Sequence, residues 1–382
     1  MRVIYTAAHA GASTAVPIGG GGAIASMLAA EWAITQPFEL VVIRPDEDAN
    51  EVVTYSEREY AAFCHRFRRY ATHRILSEDP KQCVVLVNDI SEGPDFDLLA
   101  RHGYRIYTIW HVDVVAYVAR MYLRDWISPS TLVRLVRPVE KLLPAIAKLV
   151  FHQQRSCVEK SAGHIVMTEA MKQMILNCYP STPPEKIHVV PWGAPPRVLT
   201  GKPRELAKPV LLTLSRISPE KGLDRLLQML SRWRGRATLL LCGGAAYMEG
   251  KRYLASLRAI ASGMERVKVE FAGHLSGQAK ADAFASADLY LFPSVFESYG
   301  LTLMEALSHG VPVIAFDHDG ARAIVQPDFG ILVRNEQELH VALDTLLGDP
   351  ERRAAMSAAA KAYANARPFA KSAHRVARLL QS

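Results

Sequence analysis

The sequence predicts an α/β chain of two halves, each an open parallel sheet covered by helices, and three observations carry that expectation. Short β-branched runs alternate with longer helix-like segments through both halves, the habit of strands buried on both faces. The alternation is interrupted by a proline- and glycine-containing stretch from Pro191 to Pro209, the best linker candidate. The 382 residues, 49% hydrophobic and 22% charged, suffice for two cored domains of ordinary size and argue against extended disorder.

In the first half the strands are predicted at Val3 to Tyr5, Leu40 to Arg44, Cys83 to Val87, Arg105 to Trp110, His164 to Met167 and Ile187 to Val190. Gly19-Gly20-Gly21-Gly22 follows the first strand and precedes a helix-like Ala23 to Trp32. The second half restarts with Pro209-VLLTLS and continues with Ala237-TLLLCGG, Val267-KVEFAG, Leu289-YLF, Val311-PVIAF and Gly330-ILV, each flanked by a helix-like run. From Pro350 the chain is alanine- and arginine-rich and helical in composition, broken at Pro368, with a last amphipathic stretch from Ala370 to Leu380.

A net charge of +7 suits anionic metabolites, a membrane surface or nucleic acid. The lysine- and arginine-rich tail that dominates phosphate-backbone binding is absent, so no nucleic-acid partner is expected. Cys64, Cys83, Cys157, Cys178 and Cys242 are scattered and odd in number, which indicates neither a disulfide framework nor a structural zinc site and fits a reducing cytoplasm. MRVIYTAAH reads as a strand rather than a signal series, and no stretch approaches the ~18 uncharged apolar residues that span a bilayer. The expectation is a cytoplasmic protein, soluble or attached to a membrane only at its surface. From Val114 to Lys160, eight cations are interleaved with Tyr117, Tyr122, Trp126, Leu132 and Leu142. A basic helical surface with an apolar flank can lie on anionic lipid, and an apolar helix side can equally be ordinary core.

The segment Asp288-LYLFPSVFESYGLTLMEALSHGVPVIAF-Asp317 carries two carboxylates, Glu297 and Glu305, among apolar residues, where a charge is costly unless something polar binds it. Glu305 lies about four residues into a helix starting near Gly300 and can accept two hydroxyl hydrogen bonds from a ribose diol, or serve as a buried structural group. Glu297 falls in the preceding loop beside Ser298-Tyr299-Gly300, whose backbone N–H groups open the helix. Arg216 and Lys221, in Leu214-SRISPEKGLDRLLQML, stand just beyond the first strand of the second half. That place suits a diphosphate, and it also suits a solvated helix start. The four glycines let a loop pass close to phosphate or sugar, or simply turn; the strict dinucleotide fingerprint is not met, since Leu40-VVIR ends in Arg44. His111, in Ile109-WHVD, ends a strand at the edge where open sheets bind ligands, although a lone histidine is more often structural. Asp317-His318-Asp319 is read as a surface turn before Gly320 rather than a metal site, and no metal is expected.

Ser215-RISPEKG, Phe271-AG and Leu291-FPSVFESYGLTLMEALSHGVPVIAF, with the E-x7-E pattern of Glu297 and Glu305, together resemble the retaining, nucleotide-sugar-dependent glycosyltransferases of family 4, with a glycogen-synthase-like second domain. The resemblance covers nearly the whole chain. It implies the GT-B architecture of two Rossmann-like domains facing across a central cleft: an acceptor-binding domain at 1–195, a nucleotide-sugar-binding domain at 196–368 and a helix at 369–382 crossing back to the first. It implies that Arg216 and Lys221 hold the donor diphosphate, that Glu305 binds the ribose, that Glu297 contacts the transferred sugar, and that Ser298, Tyr299, Gly300 and Leu301 contribute backbone groups. His111 matches the family's crevice histidine, and Gly20 and Gly21 are the best matches in the glycine run.

The activity so implied moves a hexose-like sugar from a nucleoside-diphosphate sugar, UDP favoured over GDP or ADP, to a glycan, lipid-linked or small-molecule hydroxyl, with no added cofactor. Two departures stand out: Trp192-Gly193 replaces a frequent Asn-Gly, and Asp319-Gly320-Ala321-Arg322-Ala323 lacks the acid of Gly-Gly-x-x-Glu. The competing classes are a sugar phosphorylase or hydrolase of similar build, for which no lysine is singled out as a pyridoxal phosphate anchor, and a non-catalytic nucleotide-sugar-binding module.

Overall fold

A computed structural model describes residues 1–9, 19–45, 55–196, 200–245 and 250–382. Residues 197–199 of the expected linker lie outside these. Contacts divide the chain into two compact units: one runs up to Pro191 and takes in Ser372–Ser382, and the other is built on Trp192–Lys371.

The first unit is a parallel six-stranded sheet in the order β2-β1-β3-β4-β5-β6. Its strands are β1 (Arg2–Thr6), β2 (Glu39–Ile43), β3 (Cys83–Val87), β4 (Arg105–Ile109), β5 (Gly163–Val166) and β6 (Ile187–Val189). All five residues of β3 are buried, as expected of an interior strand whose unbroken apolar run is covered on both faces. Because β2 and β3 lie on opposite sides of β1, the connections reverse between β1 and β3. Such a reversal opens a crevice at the strands' carboxyl ends, where His9, Asn88 and Asp89 follow β1 and β3.

The second unit is a parallel six-stranded sheet in the order β12-β11-β10-β7-β8-β9, the order of dinucleotide-binding sheets. Its strands are β7 (Val210–Leu214), β8 (Ala237–Cys242), β9 (Val267–Gly273), β10 (Leu289–Phe292), β11 (Val313–Phe316) and β12 (Gly330–Val333). β11 begins two residues later than the apolar run suggested, since Pro312 has no N–H to donate; its carbonyl accepts from Tyr290 N at 2.8 Å. The helix Leu223–Arg232 buries Leu223, Leu226, Leu227 and Leu230, the i, i+3, i+4, i+7 face of a helix, into a core shared with β7, β8, β10 and β11. Truncating Leu227 there would cost about 2–5 kcal/mol.

The tail forms helices Pro350–Ala366 and Phe369–Gln381. Within the first unit, Ser372 Oγ donates to Pro191 O at 2.8 Å, Trp32 Nε1 to Ala373 O at 3.1 Å and Arg105 to Leu380 O at 2.6 Å. Within the second, Ala194 N donates to Arg367 O at 2.7 Å and Phe369 N to Ala194 O at 2.9 Å.

The glycine run differs from expectation. Gly20–Gly22 are the first turn of the helix Gly20–Thr35 rather than a loop before Ala23. Glycine is tolerated there because the first N–H groups of a helix lack intrahelical partners anyway, and a missing side chain at Gly21 leaves room for the ring of His111.

Candidate active site

In the second unit the switch in strand order lies between β7 and β10, so a ligand crevice is expected where the chain leaves these two strands. Arg216 and Lys221 follow β7; Glu297 follows β10. The two loops are bound to each other. Val295 N donates to Glu220 O at 3.0 Å, and Tyr290 Oη to Leu214 O at 3.0 Å. Gly222 adopts φ +60°, and a Cβ there would stand 2.2 Å from Pro293 O, so the loops touch at a position that only glycine fills without strain.

Pro219–Lys221 form a 3₁₀ turn, and Gly222 then opens the helix Leu223–Arg232. Glu220 and Lys221 are both buried. Ser218 Oγ donates to Glu220 Oε1 at 2.6 Å and Arg216 to the same oxygen at 3.4 Å. Burial alone would raise the Glu220 carboxyl; the charges of Arg216 and Lys221 and the serine hydrogen bond outweigh it and hold the group below its ordinary value. Glu220, not singled out from sequence, therefore fixes the loop in which the two cations sit.

Lys221 Nζ donates to Glu297 Oε1, with both side chains largely buried. Ser294 Oγ lies 3.4 Å from the same carboxylate oxygen. The structure thus joins the cation expected at the diphosphate to the acid expected at the sugar. Glu305, on the helix Leu301–His309, pairs with Lys280 at 2.8 Å. Lys280 is a partner of Glu305 that sequence reasoning missed: it comes from the helix Gly277–Ser286, and nothing in its own stretch of sequence marks it as different from any surface lysine.

The helix Leu301–His309 has Gly300 at its N-cap with φ +113° and no side chain capping its first N–H groups. Glycine there permits the left-handed turn and leaves the helix start to an anionic group. Leu301 is the first residue of that helix, and Ser298 is in the loop before it. Tyr299 contributes to the loop differently: its side chain is buried and its hydroxyl donates to Trp192 O at 2.5 Å.

Asp317 and Asp319 are both clamped by Arg322, at 2.6 and 3.1 Å, while His318 caps the short helix Asp319–Arg322. The imidazole of His318 lies against the Phe292 ring at 5.8 Å, and its Nε2 is buried with no partner among the described residues. Burial lowers its pKa, opposed chiefly by the nearby charge of Glu297. Gly320 packs so tightly that a Cβ would stand 2.6 Å from Glu297 O. The His318 side chain is therefore a missed neighbour of Glu297, visible in sequence only as the odd residue between two acids. Among the described residues no three His, Cys, Asp or Glu side chains gather as metal ligands.

In the first unit His111 follows β4, and its Nε2 lies 3.1 Å from Asn88 Oδ1, which also accepts from Tyr5 Oη at 2.6 Å. Burial pushes the His111 imidazole down to about 4, Glu92 opposing, so it is neutral at physiological pH. Gly21 is its neighbour: a Cβ there would meet His111 Cδ2 at 3.2 Å, whereas Gly20 faces open space. Asp113 is a helix cap, accepting from Ala116 N at 2.9 Å. A polar cluster that sequence reasoning passed over adjoins this edge. His9 Nε2 lies 3.0 Å from Glu92 Oε1, Tyr60 Oη donates to that oxygen at 2.9 Å, and burial together with Glu92 pushes the Asp89 carboxyl up to about 7.

Residues 201–363, which contain Arg216, Lys221, Lys280, Glu297 and Glu305, match the family described as glycosyl transferases group 1. The GDP-mannose-dependent monoacylated alpha-(1-6)-phosphatidylinositol monomannoside mannosyltransferase of Corynebacterium glutamicum is 35% identical over 170 residues, 41% of this chain and 43% of the relative. The chain spans about half the length of the curated relatives it matches. Among solved structures, a sucrose-phosphate synthase from Thermosynechococcus elongatus superposes with a TM-score of 0.75 at 16% identity, covering 100% of this chain and 98% of that one. Anabaena Alr3699/HepE in complex with UDP and glucose gives a TM-score of 0.69 at 17% identity, covering 100% and 99%. At such identities the likeness is one of fold. The chain has the GT-B fold, and its residues 201–363 match the glycosyl transferases group 1 model.

Proposed function

We propose that the protein is a retaining glycosyltransferase that moves a hexose-like sugar from a nucleoside-diphosphate sugar to an acceptor hydroxyl. The observation that carries this reading is the pairing of Lys221 with Glu297 and of Lys280 with Glu305 at the carboxyl edge of a dinucleotide-type sheet. Each carboxylate there has a cation beside it, and each has hydroxyl-binding capacity to offer a ligand. In this reading Glu305 takes the ribose diol and Glu297 addresses the sugar. The first N–H groups of the helix Leu301–His309 hold phosphate, and Arg216 and Lys221 stabilise the charge that builds on the departing diphosphate. His111, neutral and next to Gly21, hydrogen-bonds a sugar hydroxyl.

The second unit is assigned the donor and the first the acceptor. A UDP-sugar is the expected donor; GDP-mannose, named for the Corynebacterium relative, is its competitor. That relative is also named for a phosphatidylinositol monomannoside, which supports a lipid-linked acceptor here and, with it, peripheral work at a membrane. Among the described residues no helix is long and apolar enough to cross one. Retention follows either from attack by Glu297 on the anomeric carbon and a second displacement, or from same-face attack in which the leaving phosphate oxygen takes the acceptor proton. A trapped glycosyl-Glu297 adduct would favour the first.

The deciding experiment incubates the protein with UDP-, GDP- and ADP-sugars and with lipid and soluble acceptors, and follows nucleoside diphosphate release and product mass. Acceptor-dependent diphosphate release with an α-linked product from an α-linked donor is expected. Binding without turnover of every donor would reduce the protein to a binding module, and turnover only with free phosphate would make it a phosphorylase.

A further inference from the structure

The described residues expose ten large hydrophobic side chains, and five of them fall between Tyr122 and Leu142. Trp126 is 89% exposed, Leu142 84%, Leu135 61%, Tyr122 61% and Val139 45%. Large apolar groups scattered singly need no explanation, but half of them within 21 residues form a concentration that does. Leu135, Val139 and Leu142 are spaced four and three apart through the helix Pro129–Val136 and the 3₁₀ helix Arg137–Leu142 that continues it, so they share one side. Leu132 on the same helix is buried with Val115 and Ala119, and Val133 and Val136 pack against them, whereas Leu135, Val139 and Leu142 stay exposed. Trp126 rides on a turn in which Arg124 and Asp125 both adopt positive φ, +50° and +60°. Such conformations are unfavourable for most residues other than glycine, and the indole that follows them is exposed.

The charges around these groups have one sign. Arg120, Arg124, Arg134, Arg137 and Lys148 are exposed. The acids between positions 120 and 148 are Asp125, paired with Arg120, and Glu140, buried and paired with Arg155 and His152. Four exposed cations, Arg124, Arg134, Arg137 and Lys148, therefore accompany the apolar groups along this segment beyond the Arg120–Asp125 pair. A protein partner would need an acidic surface bearing a matching apolar groove. An anionic bilayer supplies negative headgroups and an apolar layer a few ångströms beneath them, and tryptophan prefers that boundary.

We infer that the Tyr122–Leu142 surface of the first unit docks on an anionic lipid bilayer, with Trp126 and Leu142 entering the acyl boundary and Arg124, Arg134, Arg137 and Lys148 on the headgroups. This rests on the reading above that the protein works at a membrane, and it names the surface responsible. The sequence offers a convenient probe. Of five tryptophans, Trp32, Trp110, Trp192 and Trp233 are at most 3% exposed, so contact quenching by bromine carried on lipid tails reports on Trp126.

The full-length chain is mixed with phosphatidylcholine vesicles with and without phosphatidylglycerol, at about 0.1 M and about 1 M salt, where the screening length falls from roughly 10 Å to 3 Å. Expected are binding to the anionic vesicles only, weakening at high salt, and fluorescence quenching that Trp126→Phe abolishes. Trp126→Ser with Leu142→Ser, or Arg134→Glu with Arg137→Glu, should weaken binding at least about tenfold while circular dichroism and transfer to a soluble acceptor stay unchanged. Vesicle binding without quenching would overturn this surface and leave the membrane reading standing. No vesicle binding would overturn both. A self-association in sedimentation velocity that the serine variant dissolves, with vesicles ignored, would assign the face to a second copy of the chain instead.

Discussion

Lys280 donates to Glu305 across 2.8 Å, linking the helix Gly277–Ser286 to the helix Leu301–His309. The carboxylate proposed for the ribose thus has a cation competing for its lone pairs. The pair is partly exposed, at 33% and 15%, so its contribution to folding is within about 1 kcal/mol. Its effect should appear in binding. Glu305→Ala should weaken nucleoside diphosphate binding by about 10- to 100-fold, the loss expected when a hydrogen bond to a charged group is removed. Lys280→Ala should move the same affinity by less than about tenfold and leave the thermal midpoint nearly unchanged. Calorimetric titration checks both, and a Glu305→Ala variant that binds normally would remove this residue from the nucleotide site.

Lys221 is the more demanding case, because it is buried, donates to Glu297 and lies in the loop fixed by Glu220. A positive charge aimed at a departing diphosphate acts chiefly in the transition state. Lys221→Ala is therefore expected to lower kcat by about 10²- to 10³-fold while donor binding falls less. Lys221→Arg should recover part of the rate, since the charge returns with a different reach. Steady-state kinetics of diphosphate release measure both, and an unchanged kcat in the alanine variant would refute the assignment.

Much of the fold, and part of the candidate site, was legible in the sequence, and the reason is local. Twelve runs of β-branched and apolar residues appear as twelve parallel strands, because strands covered on both faces need continuous hydrophobicity that stands out from the helices between them. Glu297 and Glu305 stood out because a charge in an apolar run is chemically conspicuous. Lys280, His318 and Glu220 were not legible. Lys280 reaches Glu305 across 25 residues of sequence, and a lysine on a helix looks the same whether it meets solvent or a glutamate. His318 sits between two acids whose alternation suggested a surface turn; Arg322 collects both acids, and the imidazole is left beside Phe292. The glycine run misled for a related reason, since glycine signals a loop in sequence but at Gly21 it serves the close approach of His111, 90 positions later.

That approach gives a paired test. Gly21→Ala places a methyl 3.2 Å from His111 Cδ2, so the ring must shift by a few tenths of an ångström, whereas Gly20→Ala meets nothing within 4 Å. Both add a better helix former to a first turn, so Gly20→Ala should be neutral or stabilising by up to about 1 kcal/mol, while in Gly21→Ala that gain is offset by the cost of moving the ring. Gly21→Ala should lower transfer at least about tenfold, by moving a group that must be positioned closely, and Gly20→Ala should lower it much less. Equal losses in the two variants would show that the backbone of this turn, not the placement of His111, matters to the reaction.

Gly222 carries a larger penalty. An alanine there combines a left-handed backbone with a Cβ 2.2 Å from Pro293 O, the point where the loops after β7 and β10 touch. The strain of the two effects is about 2–5 kcal/mol if nothing yields. The loops would relax by moving apart, separating Lys221 from Glu297. Gly222→Ala should therefore lose several degrees of thermal midpoint and, in the fraction still folded, lose donor affinity together with rate. Full donor affinity in a destabilised Gly222→Ala protein would show that the loop contact serves folding alone.

The pH dependence of stability can be tied to one side chain. His164 lies in β5, fully buried, with Trp110 Nε1 donating to its Nδ1 at 3.2 Å, and burial pushes its pKa down to about 4. The unfolded chain takes up that proton near the ordinary value of about 6.5, so the unfolded state binds more protons between these limits. The contribution of His164 is thus fully present above pH 6.5 and is lost as the pH falls towards 4, at up to about 1.4 kcal/mol per pH unit. Asp89, whose carboxyl is pushed up to about 7, works in the opposite direction, losing stability as the pH rises through that value, so the wild-type curve alone does not isolate the histidine. The difference between wild type and His164→Asn does. Urea unfolding from pH 7.5 to 4.5 should show the variant less stable at neutral pH but with a shallower fall on acidification, the two curves converging. Parallel curves would mean that His164 is protonated in the folded protein as readily as in the unfolded chain.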